Sequence, residues 1–347
     1  MAPRATFRAL RMLHKRTAHL TRSGVEMTSR DRGKSAATKV SRRSRVTRGT
    51  ARGGTRTSAF GVSARESHDA SEFYDSALYS GLPKESDVGE VQEFPEELRN
   101  RIICQDARKM EQVPDNSVQL MVTSPPYNAN KQYDENLNLD TYLGLLRDVF
   151  SECYRVLAPG GRACINVANL GRKPYIPLAS FINQIMMDIG FLPRGEVIWN
   201  KSASAGVSCA WGSWKSASNP TLRDVHEYVL IFSKGKYKLH RSRAEKEDGR
   251  ADTIGKEEFM EWTKSIWSFP TESARRVNHP APFPVELPRR CIELYTYAGD
   301  VVLDPFAGSG SSAVAAKRAG RHYIAFDIVQ EYCDIAEQRV ADEASSD

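Results

Sequence analysis

An apolar run, Val118-Gln119-Leu120-Met121-Val122, passes through Thr123-Ser124 into Pro125-Pro126-Tyr127-Asn128. Apolar and partly β-branched residues ahead of a proline pair read as a buried strand that stops abruptly. Neither proline has an N–H to give to a ladder, and each ring holds φ near about −65°. The residue ahead of each proline is pushed to extended backbone as well. The strand therefore ends in a stiff loop that carries a hydroxyl, carbonyls and an aromatic face. Such a loop can hold a flat polar ring.

The sequence around this loop alternates between strand and helix signals. Ile102–Cys104 reads as a short strand ending at Gln105-Asp106. Leu139 to Leu157 has apolar residues at 142, 145, 146, 149, 150, 153, 154 and 157, a helical period. Pro159-Gly160-Gly161 is expected to stop that helix before a strand over 163–167. A second helix is expected over 174–189, closed by Gly190, then strands over 197–199 and 228–232. Residues 236–275 read as irregular and highly charged. The C-terminal part gives helix 287–297, strand 301–303, helix 311–319, strand 323–326 and helix 331–340. Such alternation predicts an α/β fold: a mostly parallel, Rossmann-like sheet with helices on both faces. No internal repeat is visible.

Composition bounds the class. Forty per cent apolar residues in a 347-residue chain can bury a sizeable core. No run approaches the length of a transmembrane helix, so no membrane partner is expected. The six cysteines are scattered without a C-x-x-C pair or a nearby His at ligand spacing, which predicts neither disulfides nor a metal site. The net charge of +6 conceals a partition, because residues 1–65 hold 17 of the 49 Lys/Arg and 2 of the 43 acids. Residues 1–88 lack the apolar content to offset their ordering entropy and are expected to be a disordered basic tail. Its first 25 residues suit an organellar transit peptide, and Ser41-Arg42-Arg43-Ser44-Arg45 suits a nuclear signal or a DNA-binding arm. A solvated tail without a role, or an earlier start than a native Met27, stays equally open. Residues 89–347 are expected to form the catalytic body.

A second motif is Val301-Val302-Leu303-Asp304-Pro305-Phe306-Ala307-Gly308-Ser309-Gly310-Ser311-Ser312: strand, glycine loop, helix. Gly308 and Gly310 permit positive φ and close approach of a ligand to the backbone. Asp327 closes the next strand, where a carboxylate can take a ribose diol. Asp304 at the strand end disfavours a pyrophosphate, and Phe306 is bulky for a pyrophosphate loop. A phosphate-free cationic nucleoside fits better than a dinucleotide.

With both motifs in this order, the sequence resembles the β-type amino-methylating (N4-cytosine or N6-adenine) DNA methyltransferases. The resemblance covers about residues 98–340, including Glu196 to Lys201, His226 to Phe232 and His279 to Pro284. It implies S-adenosyl-L-methionine as cofactor and double-stranded DNA as partner. By the same resemblance, Asp304, Phe306, Gly308 and Gly310 form the cofactor loop, Asp327 holds the ribose and Asp106 meets the adenine edge. His279 to Phe283 would serve the methionine end, and Ser124, Pro125, Pro126 and Tyr127 would hold the target base.

The chemistry agrees with those residue types. An exocyclic amine is a poor nucleophile until acceptors on its N–H bonds localise its lone pair; the Ser124 hydroxyl and Pro125 carbonyl can supply two. Tyr127 can stack on a base that has left the helix. No cysteine lies near the motif, so the thiolate needed for C5 methylation is not supplied. Ser at the first motif position goes, in the family, with N4 of cytosine, and Asp with N6 of adenine. The alternatives are an N6-adenine or RNA methyltransferase, an inactive nucleic-acid-binding protein, or a nicotinamide dehydrogenase. A target-recognition insertion is expected at about 200–275, where residues 194–250 hold 11 Lys/Arg against 6 acids. Trp211, Trp214, Lys215, Arg223, Lys234, Lys236, Lys238, Arg241 and Arg243 are its candidate DNA contacts. A solvated face with packed tryptophans is the competing reading. Localisation should follow the DNA, in nucleoid, nucleus or organelle, and a homodimer stays open.

Overall fold

In a computed structural model of the chain, the described residues are 55–56, 68–69, 74–127, 137–171, 173–201, 212–247, 249–271 and 284–344. The chain divides into two compact units, residues 1–70 and 71–347. In the first, Thr55–Arg56 pairs in parallel with His68–Asp69; the targeting and DNA-arm roles expected of the tail lie outside the described residues.

Among the described residues, the main sheet of the second unit has eight strands: β1 (Arg101–Cys104), β2 (Val118–Thr123), β3 (Leu157–Val167), β4 (Leu192–Asn200), β5 (His226–Ser233), β6 (Ile266–Ser268), β7 (Val301–Asp304) and β8 (His322–Asp327). They lie in the order β6-β4-β5-β3-β2-β7-β8-β1. All neighbours are parallel except the two pairings of β5, with β3 and β4. The helices are α1 (Leu139–Val156), α2 (Leu178–Ile189), α3 (Arg243–Glu247), α4 (Lys256–Trp262), α5 (Glu286–Tyr295), α6 (Ser311–Arg318) and α7 (Gln330–Ala344). This is the expected α/β architecture.

The pleat of the strands feeds two cores. On one face Met121, Ile165, Leu303 and Phe326 meet Leu146 and Phe150 of α1 and Ile182 and Met186 of α2. On the other, Leu120, Val122, Trp199 and Val302 meet Trp262 of α4, Leu287 and Ile292 of α5 and Val314 of α6. Each fully buried large apolar side chain contributes roughly 1.5–3 kcal/mol of transfer free energy. Gln119, the one polar residue in the run Val118–Val122, is buried but bonded. Its Oε1 accepts from the Val301 N–H at 2.8 Å and its Nε2 donates to the Ser117 carbonyl at 3.2 Å. The apparent flaw in the strand thus joins β2 to the start of β7.

The structure departs from the expected elements at three places. Pro159-Gly160-Gly161 does not separate helix from strand: α1 ends at Val156 and β3 runs through the prolyl-glycyl segment. Val118 pairs with Leu157 but Leu120 pairs with Arg162, so the extra residues bulge out of the ladder and Pro159 need not donate. The second helix starts at Leu178 rather than 174, because Tyr175–Ile176 pairs with Leu170–Gly171 and Pro177 stands at the cap. Residues 236–275 are not wholly irregular but hold α3, α4 and β6, elements too short to show a period. Upstream, the Ser86 N–H donates to the Gly235 carbonyl at 2.9 Å and Glu85 accepts from the Tyr237 N–H at 2.7 Å, so residues 85–86 are already pinned to the body.

The C-terminal ends of β1, β2, β3, β7 and β8 share one edge of the sheet, where open α/β sheets place their ligands. Since β5 runs the other way, its first residues join that edge, and Asn200 at the end of β4 pairs with His226. Residues after Ser233 leave from the opposite edge. There Gly160 takes φ +78° and donates its N–H to the Lys234 carbonyl at 2.8 Å, and an added Cβ would meet the Lys238 carbonyl at 1.9 Å. Gly160→Ala is expected to lower unfolding stability by more than ~1 kcal/mol through strain at positive φ together with that clash, read as a lower urea midpoint at unchanged m.

Candidate active site

At the end of β2 the predicted loop is held from both sides. The Tyr142 hydroxyl, from α1, donates to the Pro126 carbonyl at 2.6 Å. The Ser124 hydroxyl lies 3.2 Å from the Tyr127 hydroxyl, which donates to Glu227 Oε2 at 3.4 Å. Asn166 Nδ2 donates to the same Oε2 at 2.6 Å and lies 3.4 Å from Ser124 Oγ. Lys201 closes the cluster with an ion pair to Glu227 Oε1 at 2.5 Å. Burial, and secondarily the Glu227 charge, push the Tyr127 phenol well above its ordinary range, so it stays protonated. Tyr127 also packs against the first core, which joins ring and hydroxyl to one rigid wall.

Sequence reasoning assigned no role to Asn166, Glu227 or Lys201. Cross-strand register brings them together: Asn166 pairs with Val229, two residues from Glu227, so the pleat puts both side chains on one face. The available signal was a polar residue, Asn166, interrupting the apolar run Ala163 to Val167.

The predicted DNA contacts separate into two groups. The segment between β4 and β5 leaves from the active edge. In it Gly212 bridges Pro220 and the Asn219 N–H donates to Ser213 Oγ at 2.8 Å, a compact turn. Trp214 is 64% exposed, Lys215 sits beside its ring, and Arg223 is exposed. Trp211 lies outside the described residues. The second group does not reach this edge. Lys234 is buried, with its Nζ bonded to Asn116 and the Arg155 carbonyl. Arg241 stacks 4.0 Å over Tyr297 and pairs with Asp252 at 2.9 Å. Lys236 and Lys238 are exposed but follow β5 at the far edge. Charge was legible in the sequence, whereas the direction of β5 was not.

On the cofactor side Asp304 is buried at the end of β7. Its Oδ1 accepts from Thr123 Oγ1 at 2.6 Å and from the Phe306 N–H at 3.1 Å; its Oδ2 accepts from Ser312 Oγ at 2.5 Å. Asp327 accepts from the Gly308 N–H at 2.9 Å and the Val329 N–H at 3.0 Å, one per oxygen, which leaves acceptor capacity for a diol. The Gln105 N–H donates to the Asp327 carbonyl at 2.8 Å, which brings Asp106 to the same edge. The Arg108 side chain bonds both Asp106 oxygens and holds that carboxyl below its ordinary value. Gly308 and Gly310 take φ +48° and +77°. Gly310 answers to packing as well, since a Cβ there would sit 2.7 Å from the Ala336 Cβ of α7. His279 and Phe283 lie outside the described residues.

The Asp304 and Asp327 carboxylates at adjoining strand ends, with Asp106 beside them already paired to Arg108, suit a cation and repel a pyrophosphate, so the ammonium and sulfonium of S-adenosyl-L-methionine fit where a dinucleotide does not. Asp304, Asp327 and the N–H groups of the glycine loop would hold it. Burial raises the Asp304 carboxyl to about 6 from 3.8, against the pull of its three donors. A folded-state pKa above the unfolded one gives a stability contribution that is full below about pH 4 and lost as pH rises through about 6, on the order of 3 kcal/mol. Urea unfolding from pH 4 to 7 checks the sign: the stability difference between wild type and Asp304→Asn should shrink by that amount as pH rises.

A family model for DNA methylases matches residues 118–338. Type II methyltransferase M.MjaI of Methanocaldococcus jannaschii is 32% identical over 281 residues, spanning 70% of this chain and 91% of that protein. Type II methyltransferase M.BglII of Bacillus subtilis is 29% identical over 265 residues, spanning 72% and 71%. A candidate DNA modification methylase of Thermus thermophilus, solved with S-adenosyl-L-methionine, superposes with TM-score 0.57 at 31% identity, covering 70% of this chain and 93% of that one. The cytosine-N4-specific PvuII DNA methyltransferase shares the fold at TM-score 0.54 and 18% identity, covering 68% and 84%. With the family model matched over residues 118–338 and a relative 32% identical, the chain belongs to the S-adenosylmethionine-dependent N6/N4 DNA methylase family.

Proposed function

We propose that the chain methylates the exocyclic N4 amine of a cytosine flipped out of duplex DNA into the Ser124–Tyr127 loop. The observation that carries this reading is Ser124 itself, a neutral hydroxyl at the first motif position, 3.2 Å from the Tyr127 hydroxyl beside the Asp304 junction. In the bound state the cofactor supplies an electrophilic methyl on sulfur. The protein's part is orientation and charge. Ser124 Oγ and the Pro125 carbonyl accept the two N–H bonds of the amine, and the Tyr127 ring bounds the base plane. All described cysteines except Cys104 are buried, and Cys104 stands on the outermost strand β1, which argues against C5 chemistry.

In this reading Trp214, Lys215 and Arg223, at the active edge, meet the duplex, while Lys236 and Arg241 do not. Relatives of archaeal and bacterial origin favour a nucleoid location over a nuclear or organellar one. The proposed basic segment before residue 89 would add sequence-independent affinity.

Incubation with isotopically labelled cofactor and duplex DNA, followed by nucleoside mass spectrometry, tests the assignment. N4-methylcytosine is the expected product. N6-methyladenine would replace the base assignment, and absence of any methylated nucleoside would favour an inactive nucleic-acid-binding protein. Ser124→Ala is expected to lower the single-turnover rate roughly 10²–10³-fold, the usual effect of losing one preorganised hydrogen-bonding group, with cofactor affinity retained in calorimetry.

A further inference from the structure

A carboxylate only accepts hydrogen bonds, and a lysine ammonium only donates. At the Ser124 loop this gives the hydroxyls a direction. Glu227 Oε1 is taken by Lys201 at 2.5 Å, and Oε2 by Asn166 Nδ2 at 2.6 Å and by the Tyr127 hydroxyl at 3.4 Å. With its proton committed to Glu227, the Tyr127 oxygen can accept from Ser124, 3.2 Å away. The Ser124 proton is then directed toward Tyr127; one lone pair takes the long Asn166 Nδ2 contact at 3.4 Å, and the other is left for the target amine. The reverse order would aim the Ser124 O–H at an incoming amine, donor against donor.

We propose that Glu227, held by Lys201 and Asn166, is a positioning residue that sets the direction of the Ser124–Tyr127 hydroxyl chain so that the Ser124 oxygen accepts an N–H of the target amine. This rests on the amino-methylation reading above and holds for cytosine or adenine alike. A second observation points the same way. Asn166 Oδ1 is buried and has no hydrogen-bond partner among the described residues. Glu227 claims the NH2 end of that amide, which fixes the orientation of the amide and leaves its carbonyl end as the unpartnered acceptor beside the chain.

The test is an isosteric reversal. In Glu227→Gln, Lys201 takes the amide oxygen and turns the amide NH2 toward Tyr127, which reverses the chain. The single-turnover methyl-transfer rate should fall ~10²-fold, with KM for cofactor and DNA unchanged. Adding Lys201→Met frees the amide to flip and offer its oxygen to Tyr127, and the double variant should regain about tenfold over Glu227→Gln alone. A residue with a merely structural role gives no such recovery, because the second substitution removes a further contact. Wild-type rate in Glu227→Gln, or no recovery in the double variant, overturns the proposal. A wild-type chain that methylates no DNA amine sinks the function and this proposal together. N6-methyladenine as product corrects the base and leaves the recovery test as it stands.

Discussion

The Asp304 carboxylate is the point on which both halves of the site depend. It ends β7, yet it accepts from Thr123 at the end of β2, from the first turn of α6 through Ser312 and from the Phe306 N–H of the glycine loop. One buried group therefore sets the spacing between the loop that would hold the base and the loop that would hold the cofactor. A separation error of about 1 Å between reacting atoms costs roughly 10²-fold in rate, so a rigid link at this position matters more than its net stability. Burial makes the ionised link unfavourable in the isolated protein, and a bound cation would relieve that cost. If the cofactor sits beside Asp304, the site would be least stable before it binds, as where binding energy is directed to the reacting centre.

Around that link the polar groups follow a consistent order. Asp304 and Asp327 converge where the cationic cofactor would sit, and a single paired acid, Glu227, stands behind the hydroxyls. Lys201 neutralises Glu227 and lies 5.5 Å from the centroid of the Trp199 ring. Placing the ion pair behind rather than within the loop would leave a neutral hydroxyl to face a flipped base. A carboxylate in direct contact would be a stronger acceptor, the arrangement that Asp at the first motif position provides. Here, on the proposed chain, the charge would act through Tyr127 and Ser124 instead.

Local sequence made the motifs and the strand–helix alternation legible, because each is written within a few residues: proline geometry at 125–126, glycine spacing at 308–310, helical period over 139–157. Pairing information was not local. Gln119 looked like a flaw in a strand until β7 supplied the Val301 N–H. Pro159-Gly160-Gly161 looked like a break because the bulge that accommodates it depends on register with Val118 and Leu120. Glu227 and Asn166 lie 61 residues apart and meet only through the β3–β5 ladder, so no spacing rule could join them. The same ladder sends the lysines after Ser233 to the wrong edge, which net charge over a window cannot reveal.

That last point bears on how an acidic body approaches DNA. Beyond residue 65 the chain holds 32 Lys/Arg against 41 acids, so its summed field does not attract a polyanion. Several of the cations there are also committed internally: Lys234 to Asn116, Arg241 to Asp252, Arg250 to Asp300. Screening over about 8–10 Å at physiological salt decouples distant acids from a local contact. Under the proposed function, affinity for a duplex would come from the few basic and aromatic groups at the active edge, between β4 and β5, and from the basic residues ahead of the body. The first group can read a groove because it is fixed to the strand ends that position the loop. The second can add only the salt-sensitive, sequence-independent part. Specificity and affinity are in that case carried by different stretches of the chain, and the sequence near 212–223 is where a recognition preference would be changed without touching the chemistry.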